Sequence, residues 1–99
     1  MIVYEVNLRV QNQCLLEFKT WLTQHVQEML ELPYFSQAKS FKRLDEESEE
    51  SQLIVHYYCS DRNALDEYFQ NDAERMRADG LARFEGRFTA SRRILETDD

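Results

Sequence analysis

Polar side chains that could bind a small molecule recur at every second position in two segments of the chain. Glu5, Asn7 and Arg9 alternate with apolar residues near the beginning, and His56 and Tyr58 do the same in a later segment. Together they offer a carboxylate, an amide, a guanidinium, an imidazole and a phenol. Such groups can orient a ligand and move a proton, and an imidazole titrates near neutral pH.

Arg93 stands at the corresponding position of a third alternating segment, residues 84–96. If the three segments are neighbouring strands, these polar side chains share one face of a sheet. The predicted ligand-binding residues are Glu5, Asn7, Arg9, His56, Tyr58 and Arg93. A simpler interpretation stays open, in which Glu5 and Arg93 only neutralise each other across adjacent strands. Asn7 is then solvated, and His56 is a hydrogen-bonded interface residue.

A second candidate cluster combines Trp21, His25 and Asp72. Trp21 and His25 are four residues apart, which places them on one flank of a predicted helix. Asp72 falls within the apolar stripe of a later helix, and a buried carboxylate needs a partner, which His25 could supply. In the alternative interpretation, Asp72 reaches solvent at a splayed helix end while His25 packs beside Trp21.

The spacing of residues does not predict a metal site or a cofactor site. The two histidines and the two distant cysteines, Cys14 and Cys59, fit no metal-ligand pattern, and the sequence has no glycine-rich phosphate loop. We therefore expect no metal and no cofactor. We expect both cysteines to be free thiols of a cytoplasmic protein, because disulfides are rare in reducing compartments.

The elements that must position these side chains are predicted from hydrophobic periodicity. Strict alternation from Ile2 to Val10 is typical of a strand with one apolar face, whereas apolar residues at three- and four-residue steps predict helices. The predicted elements are strands over 2–10, 34–45, 52–59 and 84–96 and helices over 13–32 and 62–79. This β-α-β-β-α-β order indicates the α+β class with a ferredoxin-like fold, a four-stranded antiparallel sheet with two helices on one face.

The boundaries of the elements are predicted from capping and turn residues. Asn12 and Asp61 are expected N-caps, and Pro33 is expected to end the first helix. Gly80 is expected to end the second helix in the left-handed conformation, and Gly86 to mark a bulge in the last strand. Lysines along the second strand favour a position at the edge of the sheet.

The acidic charge limits the possible partners. Because the formal net charge is −7, we expect no binding to nucleic acid or to anionic membranes. No apolar run reaches the length of a membrane span, and the first residues lack the basic start of a secretory signal. The acidic run over 45–51 is predicted to be a solvated turn.

The chain is predicted to form one domain over residues 1–99, with an acidic tail from about residue 96. A chain of this size buries a limited share of its surface, so a core shared between two copies adds stability. We therefore expect a second copy of the chain to cover the sheet face that lies opposite the helices.

Four stretches of the chain resemble a family of small bacterial proteins of unknown function within the dimeric α+β barrel superfamily. These stretches are residues 1–7, 61–68, 76–84 and 91–96. The resemblance implies a homodimer whose two sheets pack face to face into a barrel. The wider superfamily includes cofactor-free monooxygenases that act on polyketide quinones, haem-degrading enzymes and stress-response proteins without a known reaction. Asp72 departs from the family pattern, which often has a histidine there.

The leading hypothesis is a homodimer that binds a small apolar or aromatic molecule in the lumen of the barrel. Two alternatives stay open. One is a cofactor-free enzyme of the monooxygenase or isomerase type, in which His56, Asn7 or Tyr58 handles a proton. The other is an acidic interaction module that recruits a basic partner through residues 46–50.

Overall fold

The structure, a computed structural model, describes residues 1–98; Asp99, the end of the predicted acidic tail, lies outside the described residues. The strands are β1 (Ile2–Gln11), β2 (Gln37–Lys42), β3 (Glu50–Cys59) and β4 (Phe88–Glu96), and the α-helices are α1 (Leu15–Glu31), α2 (Arg62–Asn71) and α3 (Ala73–Arg83). A short 3-10 helix, Asn12–Cys14, joins β1 to α1. No helix within residues 1–98 is long and apolar enough to cross a membrane.

The four strands form one antiparallel sheet in the order β2-β3-β1-β4. Each β-α-β unit is split, because a strand of the other unit lies between its two strands. This arrangement confirms the predicted ferredoxin-like fold and places the lysine-bearing β2 at an edge, as expected. The register sets Glu5 of β1 directly opposite His56 of β3 and Arg93 of β4.

The hydrophobic core lies between the helices and one face of the sheet. Tyr4 of β1 packs against Tyr68 of α2 with ring centroids 5.8 Å apart, and Phe18 of α1 packs against Phe88 of β4 at 5.0 Å. Burial of such large apolar side chains is the main favourable contribution to folding. The opposite face, on which Glu5 lies, is called the open face below.

The prediction of an N-cap at Asn12 is wrong. Residues Asn12–Cys14 form the 3-10 turn, and α1 begins at Leu15 without a side-chain cap. Asn12 instead donates from Nδ2 to the carbonyl oxygen of Ser48 and accepts from the hydroxyl of Ser51. The side chain of Asn12 is therefore used to fasten the loop before β3, which leaves it unable to cap the helix.

The prediction of one continuous second helix is also wrong. The helix breaks at Asp72 (φ −132°, ψ −21°), which separates α2 from α3. Gly80 is buried inside α3 and is not left-handed. A Cβ atom at Gly80 would lie 2.7 Å from the ring of Trp21, so glycine is needed here because Trp21 packs directly on the helix backbone.

The ends of the other elements agree in part with the boundaries that were predicted from the sequence. Asp61 caps α2 by accepting a 2.9 Å hydrogen bond from the backbone N–H of Ala64, and α1 ends before Pro33, both as predicted. The observed β2 is shorter than the predicted strand, and β4 begins at residue 88 rather than 84. Gly86 has a φ of 74° in the turn before β4, so the predicted bulge is wrong.

Candidate functional site

Glu5 is the centre of a polar cluster on the open face. Its side chain is buried, with a residue exposure of 5%. Oε1 accepts hydrogen bonds of 2.7 Å from both Arg93 Nε and Asn7 Nδ2, and Oε2 lies 2.8 Å from His56 Nε2. Arg93 and His56 reach Glu5 because they are its cross-strand neighbours. The carboxylate thus has three side-chain partners that replace lost water.

The cluster keeps Glu5 ionised. The hydrogen bond from Arg93 lowers the pKa of the Glu5 carboxyl most, burial opposes it, and bonds from Asn7 and His56 lower it further. The resulting pKa is about 2 instead of 4.5. An ionised carboxylate only accepts hydrogen bonds, so His56 Nε2 carries the hydrogen that is donated to Glu5.

Arg9 and Tyr58 share the open face but have other neighbours. Arg9 pairs with Glu46 at 2.6 Å, and Tyr58 stands opposite Val3 of β1. The structure therefore joins four of the predicted ligand-binding residues, namely Glu5, Asn7, His56 and Arg93. The charges of Glu5 and Arg93 neutralise each other, which agrees with the simpler interpretation of the pattern.

A cavity of about 390 Å3 lies on the other side of the sheet, beneath α1 and α3. Its wall is mainly apolar and aromatic, and includes Trp21 and Met29 of α1, Met76 of α3, and Val55 and Tyr57 of β3. Ligand pockets generally measure roughly 300–1,000 Å3 and have walls of this kind. Sequence reasoning looked for the pocket on the open face and did not predict this cavity.

The ionisable side chains in the wall of the cavity include basic groups and no acid. Arg77 of α3, Arg92 of β4 and the imidazole of His25 line it, and none of its lining residues within the described chain is Asp or Glu. Burial lowers the pKa of His25, so this imidazole is neutral at neutral pH. Burial raises the pKa of the Tyr57 and Tyr68 phenols, which keep their protons. The cavity is therefore cationic in an acidic protein.

Trp21 and His25 of α1 belong to this cavity rather than to a cluster with Asp72. Their rings stack with centroids 4.7 Å apart, and Trp21 Nε1 donates a 2.7 Å hydrogen bond to Asp79 of α3. Asp72 instead accepts a 2.8 Å hydrogen bond from the hydroxyl of Tyr34. The candidate cluster does not form, because Tyr34 and Arg75 bind the carboxylate of Asp72. The alternative, in which His25 packs beside Trp21, is confirmed in that part.

A sequence signal for the two arginines of the cavity did exist. The register places Arg92 between Ala90 and Ile94 on the helix-facing side of β4, where alternation predicts an apolar residue. Arg77 follows Ala73 by four residues, which puts it beside the buried stripe of the helix. A charge at a position that faces the core is the pattern that could have identified both residues.

Solved structures with the same fold include proteins of different kinds. SnoaB, a cofactor-independent oxygenase from Streptomyces nogalater, has a TM-score of 0.72 and 13% identity over 99% of this chain and 94% of that chain. An ethyl tert-butyl ether (EthD) family protein from Bacillus halodurans has a TM-score of 0.73 and 18% identity over 99% of this chain and 100% of that chain. The de novo designed protein Foldit4 has a TM-score of 0.62 and 13% identity over 98% of both chains. At these identities the likeness shows a shared fold, on which different sites can be built.

No curated protein of known function matches the sequence. A domain of unknown function, DUF4286, matches residues 1–98. This match extends from β1 through β4 and so includes both the polar cluster of the open face and the cavity beneath the helices. Because the match spans nearly the whole chain, the protein belongs to the DUF4286 family.

Proposed function

We propose that the protein binds a small apolar or aromatic molecule in the cavity beneath α1 and α3. The observation that carries this proposal is the cavity itself, with its volume of about 390 Å3 and its mainly apolar wall. A concave space of this volume with a mainly apolar wall is typical of a small-molecule pocket.

This cavity is a better candidate for the ligand than the lumen that the sequence suggested. On the open face, Glu5 already has Arg93, Asn7 and His56 as partners, so a ligand there would have to displace existing bonds. In the cavity, basic and phenolic groups lie among apolar walls. Binding there adds interactions without breaking a neutralised cluster.

We propose further that the open face pairs with the open face of a second copy. Phe41 of β2 is 46% exposed there, beside Ile54 of β3. Leu95 of β4, which stands opposite the buried Val3 of β1, adds a partly exposed apolar side chain towards the other end of the face. Covering apolar surface on both copies is favourable, and a face shared by two copies is typical of symmetric dimers.

The neutral fluorescent probe N-phenyl-1-naphthylamine tests the cavity. We expect its fluorescence to rise on binding, with a Kd of roughly micromolar order. Ala90→Trp should abolish the rise because the indole fills the cavity, whereas Leu16→Trp adds the same ring at a position that is 82% exposed and should have no effect. Binding that persists in a folded Ala90→Trp variant would overturn the proposal.

Sedimentation equilibrium tests the dimer. We expect a species of twice the chain mass of 11.9 kDa at micromolar concentration. Phe41→Lys should weaken this dimer because it places a charge in the proposed interface. Leu44→Lys, at a loop position that is 87% exposed, provides the matched control. A monomer at micromolar concentration in the parent protein would contradict the proposed pairing.

The same cavity supports a second candidate function, that of a cofactor-free oxygenase. SnoaB, described as a cofactor-independent oxygenase, has this fold, and the neutral imidazole of His25 could take a proton from a bound phenol. In such a reaction 1-naphthol and dioxygen give 1,4-naphthoquinone and water. We expect dioxygen uptake with 1-naphthol that slows in His25→Phe and not in Gln24→Ala, on the exposed side of α1. Uptake no faster than in protein-free solution would exclude this activity. If dioxygen uptake is lost in His56→Gln and kept in His25→Phe, the reaction would be assigned to the open face.

A further inference from the structure

We infer that the ligand of the cavity is an aromatic molecule that carries one anionic oxygen group, such as a carboxylate, and that Arg77 binds this group. The inference rests on the proposed function and adds the chemical class of the ligand. Three independent observations support it: an unpartnered donor on Arg77, the sign of the charges that line the cavity, and the aromatic character of its walls.

The guanidinium of Arg77 has one nitrogen with a hydrogen-bond partner in the protein and one buried nitrogen without a partner. Its Nη2 donates a 2.9 Å hydrogen bond to the hydroxyl of Tyr4, whose residue exposure is 1%. Its Nε is buried and has no hydrogen-bond partner among the described residues. Buried donors are almost always paired, because an unpaired one loses its bonds to water without compensation. An acceptor supplied by the ligand would satisfy this donor after a small shift of the Arg77 side chain opens Nε to the cavity.

The bond from Arg77 to Tyr4 also fixes the direction of the guanidinium. Tyr4 belongs to the central strand β1 and packs against Tyr68 and Phe69, so its hydroxyl is a rigid acceptor. A guanidinium fixed at one nitrogen presents its remaining donors in a planar fork. This geometry suits the two oxygens of a carboxylate better than a single neutral hydroxyl.

The charges around the cavity favour an anion. The guanidinium groups of Arg77 and Arg92 line it, and its described lining residues contain no Asp or Glu, although the protein has 19 acidic and 12 basic residues excluding histidine. A basic lining in a protein of net charge −7 attracts a negative ligand and repels a positive one.

The walls restrict the rest of the ligand to a flat, apolar body. Trp21, Tyr57 and Phe88 line the cavity beside the two arginines. Aromatic side chains stack on flat rings, and a volume of about 390 Å3 accommodates one or two fused rings together with a small polar group. A small aromatic carboxylate therefore fits the size, the walls and the charge of the cavity.

Two naphthalene derivatives of similar size test this inference by calorimetry on the full chain. 1-Naphthoate carries the anion, and 1-naphthalenemethanol is its neutral counterpart. We expect naphthoate to bind at least about tenfold more tightly, since charge-assisted hydrogen bonds are stronger than neutral ones. Arg77→Met should bring the two affinities to within about twofold by weakening naphthoate alone. Arg75→Met removes an exposed guanidinium from the same helix, outside the cavity, and should leave the ratio unchanged.

The outcomes separate this inference from the proposed function. Equal affinities for the two compounds in the parent protein would overturn the anionic ligand while cavity binding stands. Binding of neither compound, nor of N-phenyl-1-naphthylamine, would overturn both. A preference for naphthoate that survives in Arg77→Met would overturn the role of Arg77. If circular dichroism shows that Arg77→Met is unfolded, Arg77→Lys, which keeps the charge, is the second variant.

Discussion

The two faces of the sheet differ in whether their buried charged side chains have hydrogen-bond partners. On the open face, the buried carboxylate of Glu5 has three side-chain partners and its charge is neutralised by Arg93. On the helix side, Arg77 keeps a buried Nε without a partner beside a cavity whose described wall contains no carboxylate. Strand register creates the first arrangement, and the packing of helices over the sheet creates the second.

This difference separates polar groups that stabilise the chain from polar groups that can bind something else. A satisfied cluster such as that of Glu5 has little left to offer a ligand, however chemically diverse its members are. An unsatisfied donor in a cavity gains free energy when an acceptor arrives. The face that contains more kinds of functional groups is therefore the weaker candidate for binding, and the cavity is the stronger one.

The largest effect is expected from Gly80→Val, which breaks the helix-side arrangement. A Cβ at Gly80 lies 2.7 Å from the Trp21 ring, so Trp21 must move and lose its hydrogen bond to Asp79. We expect a loss of about 3 kcal/mol in the free energy of unfolding, measured with urea, because the added atoms displace the Trp21 ring from its contact with the helix. The near-ultraviolet circular dichroism of Trp21 should change as well.

The matched control for Gly80→Val is Ala78→Val, an exposed position on the same helix. It adds a β-branched side chain without a contact to Trp21 and should change stability by only a few tenths of a kcal/mol. Equal losses in the two variants would show that helix propensity, rather than the contact between Gly80 and Trp21, determines the effect.

The open face follows from the sequence to a greater extent than the cavity does. Alternation along β1 and β4 placed Glu5, Asn7 and Arg93 on one face, because a strand turns each successive side chain to the opposite side. The distances within the cluster also depend on which residues stand opposite one another. That register is set by tertiary packing and turn geometry, which a single sequence does not display.

The cavity could not be predicted because it depends on how the helices lie over the sheet. Periodicity identifies the buried side of a helix but not its angle or its interruptions. The break at Asp72 is an example, since Asp72 accepts a hydrogen bond from Tyr34, a residue that is 38 positions away in the chain. Gly80 was interpreted as a helix end for the same reason: its contact with Trp21 involves another helix.

A smaller effect is expected when acid breaks the arrangement on the open face. The pKa of Glu5 is about 2 in the folded chain and 4.5 in its ordinary state, so its stabilising contribution is complete above pH 4.5 and is lost as the pH falls towards 2. Glu5→Gln should therefore unfold with about 2 kcal/mol less free energy than the parent at pH 7 and with a similar free energy near pH 2. Urea titrations at several pH values measure this difference.

Glu47→Gln removes an exposed carboxylate from the loop before β3 and is the control for Glu5→Gln. Its stability should follow that of the parent at every pH, since exposed charges contribute little. A Glu5→Gln variant that is destabilised equally at pH 7 and pH 2 would mean that packing, rather than ionisation, accounts for the contribution of Glu5.

The smallest effect is expected on the helix side, in a higher pH range. Burial lowers the pKa of His25 below 6.5, with Glu28 and Asp79 opposing this shift and Arg92 adding to it. The imidazole therefore binds a proton more readily in the unfolded chain than in the folded one. Its titration leaves the free energy of unfolding unchanged above pH 6.5 and lowers it as the pH falls below that value. His25→Phe keeps a flat ring beside Trp21, and its free energy of unfolding should lack the decrease below pH 6.5 that His25 causes.

The two faces of the sheet should thus respond to acid in separate ranges. The free energy of unfolding of the parent minus that of His25→Phe should be constant above pH 6.5 and should decrease from pH 6.5 towards pH 5, before Glu5 begins to titrate. A difference that stays constant from pH 7.5 to pH 5 would show that His25 is as accessible to protons in the folded chain as in the unfolded one. The contrast between a neutralised open face and a basic cavity would then depend on Arg77 and Arg92 alone.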